Sequence, residues 1–248
     1  MSIIKKNIAN IITLSNLLCG LISILYAFGG HLNIASGVVI LGAILDLLDG
    51  FFARLLKTHS TIGKQLDSMA DLITFGVAPA IIMFQLLFLL EYNVFFNPFE
   101  NWESRIAYKK SFIAYTALLI PLFSALRLSK FNIDKKQTHN FIGMPTPESA
   151  LFLISIAVII NSYPNYFLLD YITNIKTISI LIVIICFLMV SKLPLFSLKF
   201  KNYNWSENKM RYLFIICIII LLWQFYFAAI PFIVILHIIL SILNNLIQ

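Results

Sequence analysis

Four of the chain's 11 acidic residues, Asp46, Asp49, Asp67 and Asp71, fall in one stretch, DLLDGFFARLLKTHSTIGKQLDSMAD, set within apolar sequence. A carboxylate in hydrocarbon is costly, so acids placed there mark a site rather than a surface. Asp46 and Asp49 are three apart and, at about 100° per residue, share a helix face with Gly42, Gly50 and Ala53. Asp67 and Asp71 are four apart and share a face with Gly63. A connection of roughly ten residues makes the two helices antiparallel, with both pairs at one depth. Four facing carboxylates repel, so at least one must stay protonated unless cations intervene. Oxygen-only ligands suit Mg²⁺ or Mn²⁺, which keep positions open for phosphate oxygens. The glycines and Ala53 leave room for a bulky polar ligand against the backbone. The residues alone therefore point to a metal-dependent phosphoryl-type site at the inner membrane surface. Intramembrane acids also serve proton relays and cation transporters, and this alternative stays open at this point.

The elements that must position these acids are membrane helices. Of 248 residues 60% are hydrophobic and only 12% charged, with a mean hydropathy of +0.91, against about a quarter charged in soluble domains. Apolar segments are expected at about 10–28, 33–56, 66–91, 108–130, 147–163, 174–196, 210–228 and 229–246, with Pro231 as the break between the last two. Lys5 and Lys6 precede a run with no small-residue cleavage site, so the first segment is expected to remain as an anchor. With the N-terminus inside, 14 of the 18 basic residues fall on the cytoplasmic side, leaving Arg105, Lys109, Lys110 and Lys176 outside. The positive-inside rule then predicts both termini cytoplasmic. The net charge of +7 belongs to loops facing anionic lipid, and no soluble basic region is present to bind nucleic acid. Cys19, Cys186 and Cys217 show no CxxC spacing and read as small buried hydrophobes. His31, His59, His139 and His237 show no metal spacing and read as loop or core residues. The expected fold is all-α, a polytopic bundle of about eight transmembrane helices. One membrane domain is expected over 1–248, with a core at about 10–201 and additional helices at about 210–246.

The spacing D-x2-D-G-x2-A-R, then eight residues, then G-x3-D-x3-D, is matched by Asp46, Asp49, Gly50, Ala53, Arg54, Gly63, Asp67 and Asp71 without a departure. It resembles the signature of the CDP-alcohol phosphotransferases. The resemblance implies a six-helix catalytic core in which the four aspartates hold one or two divalent metals gripping the diphosphate of a CDP-linked lipid. It further implies that Asp71 also serves as the base that deprotonates an alcohol, that Gly50, Ala53, Arg54 and Gly63 line the nucleotide-lipid site, and that CMP leaves. Arg54 at a helix end also has the ordinary reading of a headgroup anchor. Members of the family are commonly homodimeric.

NIITLSNLLCG (10–20), ADLITFGVAPA (70–80), ALRLSKFNI (125–133), FIGMPTPESA (141–150) and MVSKLPLFSLKFK (189–201) resemble the branch comprising bacterial and archaeal membrane-bound phosphatidylserine synthases. Ala9, where proline is common, and Glu148, an unusual acid beside Pro147, depart from it. The branch implies CDP-diacylglycerol and L-serine as substrates, in a bacterial inner membrane with the site facing the cytoplasm. Serine is a zwitterion and asks a partly desolvated pocket for a fixed cation. Arg127 and Lys130 are the candidates, with Asn132 and the 143–147 loop shaping the acceptor side; positive-inside anchoring is the plainer reading of both cations. Glycerol 3-phosphate, inositol phosphate or choline are the rival acceptors. A transporter needs polar groups on the outer halves of the helices, and LYAFGGHLNIASGVVILG and FGVAPAIIMFQLLFLL are almost purely apolar there.

Overall fold

A computed structural model of the protein describes residues 2–56, 61–97, 112–133, 140–163, 169–196 and 204–247. Helix α1 (Ser2–Phe28) and α2 (Leu32–Leu55) form an antiparallel hairpin closed by Gly30 at φ +78°. The next rod has three parts: α3 (Thr61–Asp71), a π-helical segment (Leu72–Val77) and α4 (Ala78–Tyr92). A 3₁₀ turn (Ala114–Leu118) leads into α5 (Leu119–Ile133), and α6 (Thr146–Ser162) follows. One short turn, α7 (Leu169–Ile172), precedes α8 (Ile175–Val190). Helix α9 (Trp205–Phe225), a 3₁₀ turn (Tyr226–Ala229) and α10 (Ile230–Ile247) form the C-terminal hairpin.

Four helical stretches, 10–28, 32–53, 62–92 and 208–246, are long and apolar enough to cross a bilayer, with shorter apolar helices at 146–162 and 175–190. This is an all-α, multi-pass membrane protein. The core is built around 62–92, whose most apolar window is 72% buried, whereas the corresponding windows of the first two spans are only 33% and 28% buried. Exposed Leu25, Leu47, Ile219 and Trp223 give the outer surface the apolar character that lipid requires. The three cysteines are free thiols.

The helix limits depart from the apolar segments at the start of α3, at the end of α8 and at the break between the last two spans. Helix α3 begins at Thr61 rather than near 66, because its first turns, TIGKQ, are polar yet helix-competent. Helix α8 ends at Val190 instead of running to 196. Pro194 cannot continue a helix, and Pro194–Phe196 forms strand β2, antiparallel to β1 (Asn140–Ile142) in the register Asn140↔Phe196 and Ile142↔Pro194. The last two spans break at Tyr226, a left-handed φ of 50° with ψ −127°, and not at Pro231. Pro231 sits in the first turn of α10, where its missing N–H costs nothing. Residues 108–111, expected to open the fourth helix, lie outside the described residues.

Candidate metal and active site

Small residues bring three elements together just beyond Asp71. A Cβ on Gly42 would stand 2.6 Å from Thr74 Cγ2 and 3.0 Å from Asn16 Oδ1. A Cβ on Gly20 would meet Thr74 Oγ1 at 2.7 Å and Thr74 Cα at 2.9 Å. Helix α1 therefore closes on the π segment at backbone distance and α2 closes on its Thr74 side chain, the use that membrane helices make of glycine. Thr74 Oγ1 donates to Asn16 O at 2.9 Å across this seam. Gly42, expected to make room for a ligand, is occupied by this packing. Gly50, two turns on, has nothing within 4 Å of a built Cβ, and that side of α2 is open.

With α2 and α3 fixed in this way, carboxylate oxygens of Asp46, Asp49 and Asp67 lie within 4.8 Å of one another, an all-oxygen set able to hold a metal ion. Asp71 joins through a side-chain hydrogen bond with Asp46. Its Oδ1 is buried and has no hydrogen-bond partner. Two carboxylates in contact need a shared proton or a cation between them, so the donor set fits a hard divalent ion. Asp49 is oriented from a third helix: Thr13 Oγ1 donates to Asp49 Oδ2 at 2.6 Å.

Thr13 was not among the residues singled out by sequence, although it lies in the 10–20 motif. Its signal is a hydroxyl on the helix face that also carries Asn16, one turn on. Asn16 is fully buried, and neither its Nδ2 nor its Oδ1 has a partner. Buried amides are nearly always satisfied, and an open pair of this kind next to the acid-bearing helices suits a polar ligand.

The acceptor-side candidates separate. Helix α5 crosses the π segment where a Cβ on Gly76 would stand 3.2 Å from Ser124 Cβ. One turn later Arg127 is buried, 8% exposed, close enough to Asp71 for the two charges to act on each other. Its Nη1 donates to Thr146 Oγ1 at 3.1 Å, its guanidinium lies over Phe131 at 5.7 Å, and Nε has no partner. Lys130 is exposed. Asn132 ties α5 to α3 instead of shaping the acceptor loop: its Nδ2 donates to Ser68 Oγ at 2.8 Å and its carbonyl accepts from Lys64 Nζ at 3.0 Å. Gly63 and Ala53 are partly buried; the Arg54 side chain lies outside what the structure describes, as do His59, His139 and Lys57.

The 143–147 loop is held rigidly. Gly143, at φ +77°, donates its N–H to Leu193 O at 2.8 Å, and a Cβ there would meet Met189 O at 2.5 Å. Met144 N donates to Leu188 O at 3.0 Å, and the β1–β2 ribbon continues the join.

Residues 6–243 match the model of the CDP-alcohol phosphatidyltransferase family. The chain is 36% identical over 156 residues to a CDP-diacylglycerol–serine O-phosphatidyltransferase of Helicobacter pylori (strain ATCC 700392 / 26695), covering 62% of this chain and 58% of the relative. It is 36% identical over 151 residues to the Bacillus subtilis (strain 168) protein of that name, covering 60% and 75%. An archaetidylserine synthase of Methanothermobacter thermautotrophicus is 34% identical over 160 residues, 60% of each chain. The acid cluster on α2 and α3, the signature spacing and a match over nearly the whole length agree: the chain belongs to the CDP-alcohol phosphatidyltransferase family.

Proposed function

We propose that the protein transfers the phosphatidyl group of CDP-diacylglycerol to L-serine, giving phosphatidylserine and CMP. The observation that carries this reading is a buried arginine with an unpartnered Nε beside Asp71, whose own Oδ1 is unpartnered, at the edge of the acid cluster. Names borne by relatives at 34–36% identity support the acceptor.

Asp46, Asp49 and Asp67, with Asp71, are the residues that would hold Mg²⁺ or Mn²⁺. Such an ion, when bound, neutralises the diphosphate and the charge that develops on departing CMP. Thr13 holds in place the Asp49 carboxylate that would ligate the ion. The open side of α2 at Gly50, with Ala53, Arg54 and Gly63, receives the nucleotide. Asn16, one turn along α1 from Thr13, offers a further donor and acceptor. Arg127 takes the serine carboxylate in a charge-assisted pair, which leaves the hydroxyl toward Asp71. Asp71 Oδ1 accepts the hydroxyl proton as the oxygen attacks the phosphorus next to the lipid, and the bond to CMP breaks. Lys130, being exposed, serves as a headgroup anchor in this reading, not as a serine ligand.

The site faces the cytoplasm of a bacterial inner membrane in this reading, as the basic loops favour. A homodimer, implied by family resemblance, belongs to the same proposal and is tested by sizing in detergent. The deciding experiment offers purified protein CDP-diacylglycerol, a divalent metal and, side by side, serine, glycerol 3-phosphate, inositol phosphate and choline, reading CMP release. Serine is expected to dominate. Faster release with another acceptor overturns the substrate and leaves the family.

A further inference from the structure

The C-terminal hairpin reaches the acceptor side of the site through one ion pair. His237, on α10, places Nδ1 2.7 Å from Glu148 Oε1 and Nε2 3.1 Å from Phe196 O. A carbonyl only accepts, so Nε2 carries a proton. Nδ1 faces the carboxylate at ion-pair distance, and with both ring nitrogens protonated the contact is a charge-assisted pair. The Phe214 ring face stacks on His237 at 5.2 Å, a contact that suits a cation, and Phe196 packs perpendicular to it at 4.8 Å. The pair is nearly closed off, 9% and 16% exposed.

Glu148 lies in the first turn of α6, two residues beyond Thr146, which accepts from Arg127. It is also near enough to act electrostatically on the Arg127 guanidinium. A carboxylate so placed is a competitor: released from His237, it would turn to Arg127, a buried cation with an unpartnered donor. Substrate carboxylate would then find its cation taken.

We propose that His237 is a positioning residue that holds Glu148 away from Arg127, keeping that guanidinium available to the acceptor's carboxylate. The proposal rests on Arg127 binding serine, as inferred above. The hairpin is thereby a working part of the acceptor site and not only added membrane mass. It grips the same edge at two further points, with Phe196 N donating to Ser241 Oγ at 3.3 Å and Asn245 Nδ2 to Pro194 O at 2.7 Å.

The test uses the full-length enzyme with CDP-diacylglycerol and reads KM for each substrate separately. His237→Phe fills the ring's place but holds no proton. Its KM for serine is expected to rise about tenfold or more, the worth of one hydrogen bond to an ionised partner, with KM for CDP-diacylglycerol within about twofold. Glu148→Gln added to His237→Phe removes the competitor and is expected to bring serine KM back toward wild type. A role in folding alone does not produce such a rescue. An unchanged serine KM in His237→Phe, or a double variant as impaired as the single, overturns the proposal. If His237→Phe does not fold, His237→Gln and His237→Leu carry the comparison, with Gln, which retains an N–H donor, expected to be the milder. Wild type that ignores serine in favour of another acceptor refutes the proposed function instead, and that result is read first.

Discussion

Asp71→Asn separates proton acceptance from ligand geometry more cleanly than any other change at the site. In the structure Asp71 spends one oxygen on Asp46 and leaves Oδ1 buried and bare. Asparagine fits this arrangement: its Nδ2–H donates to the Asp46 carboxylate without needing a shared proton, and its oxygen stays where Oδ1 was. Size, burial and a ligating oxygen are preserved, while the capacity to take up a proton is lost. A positioned base contributes about 10²–10⁴ in rate, equivalent to about 2.7–5.4 kcal/mol of barrier at 1.36 kcal/mol per factor of ten. Asp67→Asn is the control, because Asp67 belongs to the trio within 4.8 Å and its change strikes the metal. CMP release under saturating serine gives turnover, and binding of CDP-diacylglycerol in the presence of metal gives affinity. Asp71→Asn is expected to lose turnover by at least about a hundredfold with affinity within about threefold, a shift of about 0.7 kcal/mol. Asp67→Asn is expected to lose both. Equal loss of affinity in the two variants refutes the division of labour and makes Asp71 a ligand first.

Excess chelator is expected to abolish CMP release, restored by Mg²⁺ or Mn²⁺; full activity in chelator removes the metal from the site. Thr13→Val deletes the 2.6 Å hydrogen bond to Asp49, and the half-saturating metal concentration should rise about tenfold to a hundredfold, the range for a bond to an ionised acceptor. An unchanged metal requirement would show that Asp49 needs no such support. Gly143→Ala puts a side chain at φ +77° and 2.5 Å from Met189 O. It should cost at least about 1 kcal/mol, seen as a lower Tm together with a raised KM for serine; a variant as stable as wild type contradicts the rigid loop.

Much of the bundle was legible because a bilayer imposes a length and a composition that sequence displays directly. The eight apolar segments correspond to α1, α2, the Thr61–Tyr92 rod, α5, α6, α8, α9 and α10. The four aspartates were legible for the same reason, being charges where charge is costly. What escaped notice lacked such a contrast. The first turns of α3 are polar and look like loop, yet interfacial helix tolerates polarity. Pro231 looked like the break, but its effect depends on where the helix starts, which Tyr226 decides. The β1–β2 ribbon joins residues 140–142 to 194–196, a pairing too short and too distant in sequence to leave a periodic mark. Thr13 is a common residue in membrane helices, and only its distance to Asp49 gives it a role. Glu148 stood out as an oddity, but its partner, His237, comes from a helix that the family motifs do not reach.

The π segment has a mechanical consequence. In a uniform helix every residue's heading is locked to its neighbours at about 100° per step. The acids at 67 and 71 and the packed residues Thr74, Phe75 and Ala78 would then share one fixed phase. The wider turn at Leu72–Val77 inserts a phase slip between them. Excising a single residue from the segment would swing α3 by about 100° against α4, turning Asp67 and Asp71 off their partners on α2 while leaving every side chain in the sequence intact.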